Sequence, residues 1–196
     1  MLKSDVGMTP LITTYLEMRA HSEMRIAKCE LRNFQIHELT DRDWRFNREM
    51  YFKVGENWKW IDKRPWSDEQ WREYATDPNL RTFAGYSGDE IAGYFELHRQ
   101  SSDLQPRTPA VTKTGHTAQV TRHDEEVEIA YFGLLPEFIG RGLGGALLTS
   151  AIDNAWAWSP APLRIWVHTC NRDHPSALAN YQSRGFKIYK TATGDM

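Results

Sequence analysis

Apolar positions along the chain alternate between a period of two and a period near 3.6, and the changes of period mark the elements. Residues 11–18 (LITTYLEM) and 31–38 (LRNFQIHE) carry enough β-branched and aromatic side chains for strands. A helix is predicted from Thr40-Asp41, with Trp44, Phe46, Met50 and Tyr51 among its apolar positions. Ser67-Asp-Glu-Gln is a capping-box pattern, Ser67 as N-cap and Gln70 three residues on, and predicts a short helix to about Tyr74 that Pro78 ends. Two aromatic-rich runs, 80–86 and 90–98, flank Ser87-Gly88-Asp89 and predict a hairpin. Residues 99–125 turn to Ser, Thr, Gln, Pro and His, and predict a long inserted loop.

The second half is more regular. A strand over 127–135 is followed by a turn over 136–140. A helix then runs from Gly142 to about Trp158, with Leu143, Leu147, Leu148, Ile152 and Ala155 at helical spacing. A buried strand is expected over 163–169, then a short helix opened by Pro175 and closed near Gly185, then a last strand over 186–189. Strand and helix alternating after a hairpin predict an α/β chain of the α+β type around one sheet.

Composition narrows the class. The 196 residues fit one domain, and Lys plus Arg at 24 against Asp plus Glu at 26 gives a net charge of −2, which argues against a nucleic-acid partner. No apolar run approaches the length of a membrane helix, and residues 1–10 have no apolar stretch of the secretory kind. Two cysteines, Cys29 and Cys170, make neither a disulfide scaffold nor a zinc site, so a reducing cytoplasm and no metal are the expectation. His168, Cys170 and His174 lack a fourth ligand at metal spacing, and Cys170 with His168 is weak as a nucleophile pair. One number stands out: of eight Trp, four fall at 58, 60, 66 and 71.

The stretch richest in chemistry runs from Leu134 to Ala146 (LLPEFIGRGLGGA), where a strand meets a helix across four glycines, 140, 142, 144 and 145. Glycine lets a ligand approach the backbone, and a helix N-terminus offers unpaired N–H groups at the positive end of its dipole. That combination suits phosphate or pyrophosphate. Gly140-x-Gly142-x-x-Gly145 matches a dinucleotide fingerprint formally, but five residues including Pro136 precede the first glycine. Ile165 and Trp166 stand where the acid is expected. A phosphate loop of the nucleotidase kind needs Gly-Lys, which the chain lacks. The acyl-CoA loop, Gln/Arg-x-x-Gly-x-Gly/Ala, is matched by Arg141 to Ala146. A glycine-rich helix start with no ligand is the remaining reading.

On these residues the chain resembles the GCN5-related N-acetyltransferases (GNAT). The likeness runs from about Glu90 to Tyr189 and is strongest over 128–146 and 171–186, where Asn171 and Ala177-x-x-x-Tyr181-x-x-x-Gly185-Phe186 follow the glycine loop. The resemblance implies a mixed, mostly antiparallel central sheet flanked by helices, with acetyl-CoA as acyl donor. It implies that Leu134 and Leu135 hold the pantetheine arm with Asn171. The N–H groups of Arg141, Gly142, Leu143, Gly144, Gly145 and Ala146 would hold the pyrophosphate. Residues 79–190 would form the CoA-binding core, and 1–78 the N-terminal strands and acceptor-side helices. Only ten residues follow Phe186, so the family's final strand is expected short or missing, with 11–18 substituting at a sheet edge. A homodimer is common in the family.

Acyl transfer to an amine needs a deprotonated nucleophile, a polarised thioester and a proton for the leaving thiolate. Glu128, six residues before Leu134, lies where many family members keep a catalytic carboxylate, and Glu126 shares its face by strand alternation. A solvated strand-face acid is the plainer alternative for Glu128. Tyr181 matches the family's proton donor to the thiolate. Trp58, Trp60 and Asp62 fall in the segment that the family commonly uses for the acceptor, where aromatic faces and a carboxylate suit a cationic amine. Asp62 pairing with Lys63 or Arg64 is the competing reading, and two of the four clustered Trp are expected in the core. The acceptor is a small-molecule or peptide amine. A CoA-binding sensor without turnover and a dinucleotide enzyme are the rivals.

Overall fold

The computed structural model describes residues 10–27, 33–58, 60–100 and 126–194. Its elements are β1 (Leu11–Met18), β2 (Phe34–Glu38), α1 (Trp44–Val54), α2 (Asp68–Thr76), β3 (Leu80–Ser87), β4 (Glu90–Gln100), β5 (Glu126–Leu134), α3 (Leu143–Trp156), β6 (Arg164–Cys170), α4 (Ala177–Ser183) and β7 (Lys187–Gly194). One sheet takes all seven strands in the order β2-β3-β4-β5-β6-β1-β7. Every neighbouring pair is antiparallel except β5–β6.

Local signals account for most boundaries. Ser67 and Gln70 close both halves of the capping box, Ser67 N–H to Gln70 Oε1 at 2.9 Å and Gln70 N–H to the Ser67 hydroxyl at 3.4 Å. Asp43 caps α1 by accepting from the Arg45 N–H. Gly88 takes the hairpin turn between β3 and β4 at φ 65°. Most of the predicted 99–125 loop lies outside the described residues, and its first two positions belong to β4 instead.

Two expectations about the ends of the sheet change. Strand β1 is not at an edge: it lies inside, pairing β6 from Thr13 to Met18 and β7 on its other side. The last strand is neither missing nor confined to 186–189, because the TATG run continues it to Gly194 at the sheet edge. Its side chains are mostly exposed, so no buried alternation marks it. Helix α4 begins at Ala177 rather than Pro175, because residues 173–176 first make a turn in which Ala177 N–H reaches the His174 carbonyl.

The sheet separates two layers. On one face Phe83, Phe95, Leu97, Val127, Ile129, Ile165 and Val167 pack against Leu147, Leu148, Ala151 and Ile152 of α3. Phe83 and Phe95 stack at 4.6 Å between centroids. Each such side chain contributes about 1.5–3 kcal/mol by leaving water. On the other face α1 and α2 cover β3 to β5, burying Tyr51, Trp71 and Tyr94. Among the described residues no helix is long and apolar enough to cross a membrane.

Candidate active site

A bulge in β5 opens the site. Leu97 of β4 faces Ile129, but the next residue, Glu96, faces Tyr131, so Ala130 is left out of the ladder. Such an extra residue bends and twists its strand. Pairing between β5 and β6 covers only Glu126–Arg164, Val127–Ile165 and Glu128–Trp166, and stops at the bulge. Beyond it the two parallel strands part. The gap is a cavity of about 870 Å³, walled by Ala130, Tyr131 and Phe132 on one side and Val167, His168 and Cys170 on the other.

At one end the cavity meets the N-terminus of α3. Gly142 is the N-cap, at φ 78° in the left-handed region, and no side chain caps the helix. The first N–H groups therefore have no intrahelical partner, the arrangement that suits an anion. Gly142, Gly144, Gly145 and Leu134 line this end. Gly145 has a packing reason as well, since a Cβ there would lie 2.9 Å from the Ala27 Cβ. Neighbouring residues of the loop make contacts of their own. Leu135 N–H bonds the Ala92 carbonyl, Leu143 buries its side chain in the core, and Arg141 lays its guanidinium 4.9 Å from the Phe138 ring centre. Ala146 stands within α3, outside the cavity lining. The Asn171 side chain holds β1: its Oδ1 accepts from Ile12 N–H at 3.1 Å and its Nδ2 donates to the Pro10 carbonyl at 2.9 Å. Asn180 lines the cavity, donating to the Gly144 carbonyl at 3.3 Å.

Tyr181 and His168 both line the cavity, and Glu128 lies behind His168. Tyr181 lines the cavity, its ring fixed between Phe132 and Phe186, and burial pushes its hydroxyl pKa up, so it stays protonated. Glu128 does not line the cavity. Its carboxylate accepts from Gln100 Nε2 at 2.8 Å and lies 3.3 Å from His168 Nδ1. The imidazole itself lines the cavity, and its hydrogen bond to the Glu128 carboxylate raises its pKa despite burial acting the other way. Glu126, the second carboxylate of that face, forms an ion pair with Arg164, which also holds Glu17 at 3.0 Å. It is a lock between strands rather than a free base. Cys170 also lines the cavity as a free thiol, with burial holding its pKa up.

The pattern of the acetyltransferase (GNAT) family matches residues 34–186. The chain belongs to that family. Uncharacterized N-acetyltransferases of Mycobacterium tuberculosis and Mycobacterium bovis are 28% identical to it over 127 residues, 65% of this chain. The chain spans 65% of the length of those curated relatives. A GCN5-related N-acetyltransferase from Sphaerobacter thermophilus has a similar fold at TM-score 0.61 and 13% identity, covering 94% of this chain and 50% of its own. One from Kribbella flavida gives 0.59 and 12%, covering 95% and 57%. An aminoglycoside acetyltransferase from a soil metagenome gives 0.52 and 14%, covering 78% and 87%. The mixed seven-stranded sheet is thus the GNAT fold.

The far end of the GNAT cavity is aromatic and acidic. Trp58, Trp60, Tyr131 and Asp62 line it. Trp58 meets His174 edge-on at 5.2 Å, and Trp60 meets Tyr131 at 5.1 Å. Trp71 fills the core beneath, and Trp66 packs on it at 5.3 Å, so the four Trp divide into two at the cavity and two behind it. Asp62 pairs with neither Lys63 nor Arg64. Its two oxygens accept from the Tyr51 and Tyr131 hydroxyls, each at 2.7 Å. Burial favours its neutral form, but the hydrogen bonds from Tyr131 and Tyr51, together with the nearby Lys63 charge, outweigh it and lower the pKa. The Arg64 Nε donates to the Trp60 carbonyl, and the Lys63 ammonium lies over the rings of Trp66 and Tyr74 at 3.9 and 4.2 Å. Among the described residues no three His, Cys, Asp or Glu side chains are grouped to hold a metal.

His168, Asn180 and Tyr131 are the site residues that sequence reasoning missed. Alternation puts His168 on the face of Glu128 only if the β5–β6 register is known. Tyr131 reaches that face only because of the bulge.

Proposed function

We propose that this chain transfers an acetyl group from acetyl-CoA directly to a primary amine in a ternary complex. The observation that supports it is the continuity of one cavity. Its lining takes in the glycines at the α3 N-terminus, Tyr181, the His168 imidazole that Glu128 holds, and the aromatic and acidic group of Trp58, Trp60, Tyr131 and Asp62. The α3 N-terminus and the Gly142–Gly145 backbone fit a pyrophosphate, because an anion there gains several unpaired N–H donors at once. In this reading the backbone N–H of Ala130, out of the β ladder, would polarise the thioester carbonyl.

An alkyl amine has a pKa of about 10, so most of it arrives protonated and must lose a proton to attack. His168 accepts that proton at Nε2 while Glu128 holds Nδ1, fixing the tautomer and stabilising the imidazolium. The amine nitrogen forms the C–N bond to the acetyl carbon and the C–S bond breaks. Tyr181 gives its proton to the departing thiolate, which suits a hydroxyl that burial keeps protonated. Trp58, Trp60 and Asp62 receive the acceptor, and Glu128 acts through His168 rather than on the amine.

The test is an amine panel with acetyl-CoA, read as free thiol, with Tyr181→Phe beside the wild type. The variant keeps its ring packing, so acetyl-CoA affinity persists while kcat falls by about 10²–10⁴-fold. Tight binding of acetyl-CoA with no turnover for any amine would support a sensor instead. Failure to bind acetyl-CoA at millimolar concentration would refute the reading altogether.

A further inference from the structure

Asp62 is an ionised carboxylate that forms no ion pair with its neighbouring cations. Both oxygens are fixed by tyrosine hydroxyls, and Tyr51 is itself anchored by accepting the Lys63 backbone N–H at 3.1 Å. Its two nearest cationic neighbours in sequence are engaged elsewhere, Lys63 over aromatic rings and Arg64 on the Trp60 carbonyl. Among the described residues, no Lys or Arg lines the cavity, whereas Asp62 and Asp173 do. A carboxylate-bearing acceptor would meet repulsion from both and no Lys or Arg among the lining, only the imidazoles of His168 and His174. A cation would meet Asp62 in a cavity that Trp58, Trp60 and Tyr131 also line, the combination that favours an ammonium.

That same preference makes Asp62 a poor place for the reacting amine. A fixed carboxylate stabilises the charged form of whatever amine it touches, and a protonated amine has no lone pair for attack. Removing a proton is the task of a separate group, His168, which lines the cavity between the parted strands. One group holds charge and the other takes it away.

We infer that the acceptor carries at least two amines: one stays protonated at Asp62 against the Trp58–Trp60 wall, while the second is delivered to His168 and acetylated. The acceptor class is therefore a small organic polycation rather than a monoamine or an amino acid. This rests on the acetyltransferase reading above.

The test compares kcat/KM for straight-chain diamines of three to eight carbons with monoamines of equal length, and with an aminoglycoside as a rigid polycation. Wild type and Asp62→Asn are run in parallel. Charge-assisted anchoring predicts that diamines exceed matched monoamines by about ten- to a hundred-fold, chiefly through KM, with an optimum at one spacer length. Asp62→Asn should bring the diamine-to-monoamine ratio toward one. Preference for the aminoglycoside over every linear diamine would identify a rigid polycation as the source of the second ammonium, and the reverse a flexible one. A wild-type ratio near one, or a variant that lowers both amine classes by the same factor, overturns the inference while leaving the transferase intact. No thiol release from any amine overturns both.

Discussion

Glu96 is the most buried carboxylate of the GNAT core and gives a prediction whose size follows from its surroundings. It is 1% exposed on β4, facing α1 and α2, where Asn47 Nδ2 donates to one oxygen at 2.9 Å and the Tyr74 hydroxyl to the other at 2.5 Å. Burial raises its pKa from 4.5 to about 7, against the lowering effect of those two hydrogen bonds and the Lys63 charge. Between those values the folded state binds a proton that the unfolded chain releases. Stability therefore falls as pH rises through the window and levels off above about 7. At about 1.4 kcal/mol per pH unit, this one group costs about 3 kcal/mol on going from pH 5 to pH 8. Glu96→Gln keeps the shape but cannot ionise. Its stability relative to wild type should improve by that amount across the same interval, a shift of about 1–2 M in the difference between urea midpoints. Urea unfolding of both proteins at pH 5 and pH 8 measures it. Taking the difference cancels other titrating groups such as His168, which is raised too. Equal midpoint differences at the two pH values would refute the argument.

Two further outcomes follow from the site. Glu128 raises the His168 pKa, so Glu128→Gln should move the acid limb of the kcat/KM profile to lower pH, where wild-type His168 is still protonated, and lower the plateau; an unmoved limb would remove His168 as the titrating base. Gly142→Ala puts a side chain at φ 78° in open space, so it should cost about 1–2 kcal/mol by denaturant unfolding and weaken acetyl-CoA binding, with no loss from steric contact.

Patterns that act over a few residues are legible in the sequence. Ser67 and Gln70 announce their cap, Ser87-Gly88-Asp89 announces the hairpin that forms there, and the glycines from 140 to 145 mark the start of α3. The role of Asn171 and the extent of the last strand are not legible, because their partners are distant. Asn171 is bonded to residues about 160 positions away, and β7 is held by β1 at the opposite end of the chain.

The sequence by itself determined the periodicities, the caps and the chemical types: a glycine loop, a tyrosine at helical spacing, and an aromatic, acidic cluster. Those depend on side chains within a turn or two of each other. Tertiary structure alone decided which of them share a cavity. The decisive event is a single unpaired residue, Ala130, which ends the β5–β6 pairing, turns Tyr131 toward Asp62 and opens the gap that His168 lines. Register between strands is set by long-range packing and not by local propensity. The pairing of Glu128 with His168, and the bonding of Asp62 to two tyrosine hydroxyls without an ion pair to Lys63 or Arg64, therefore had no signature in the linear chain.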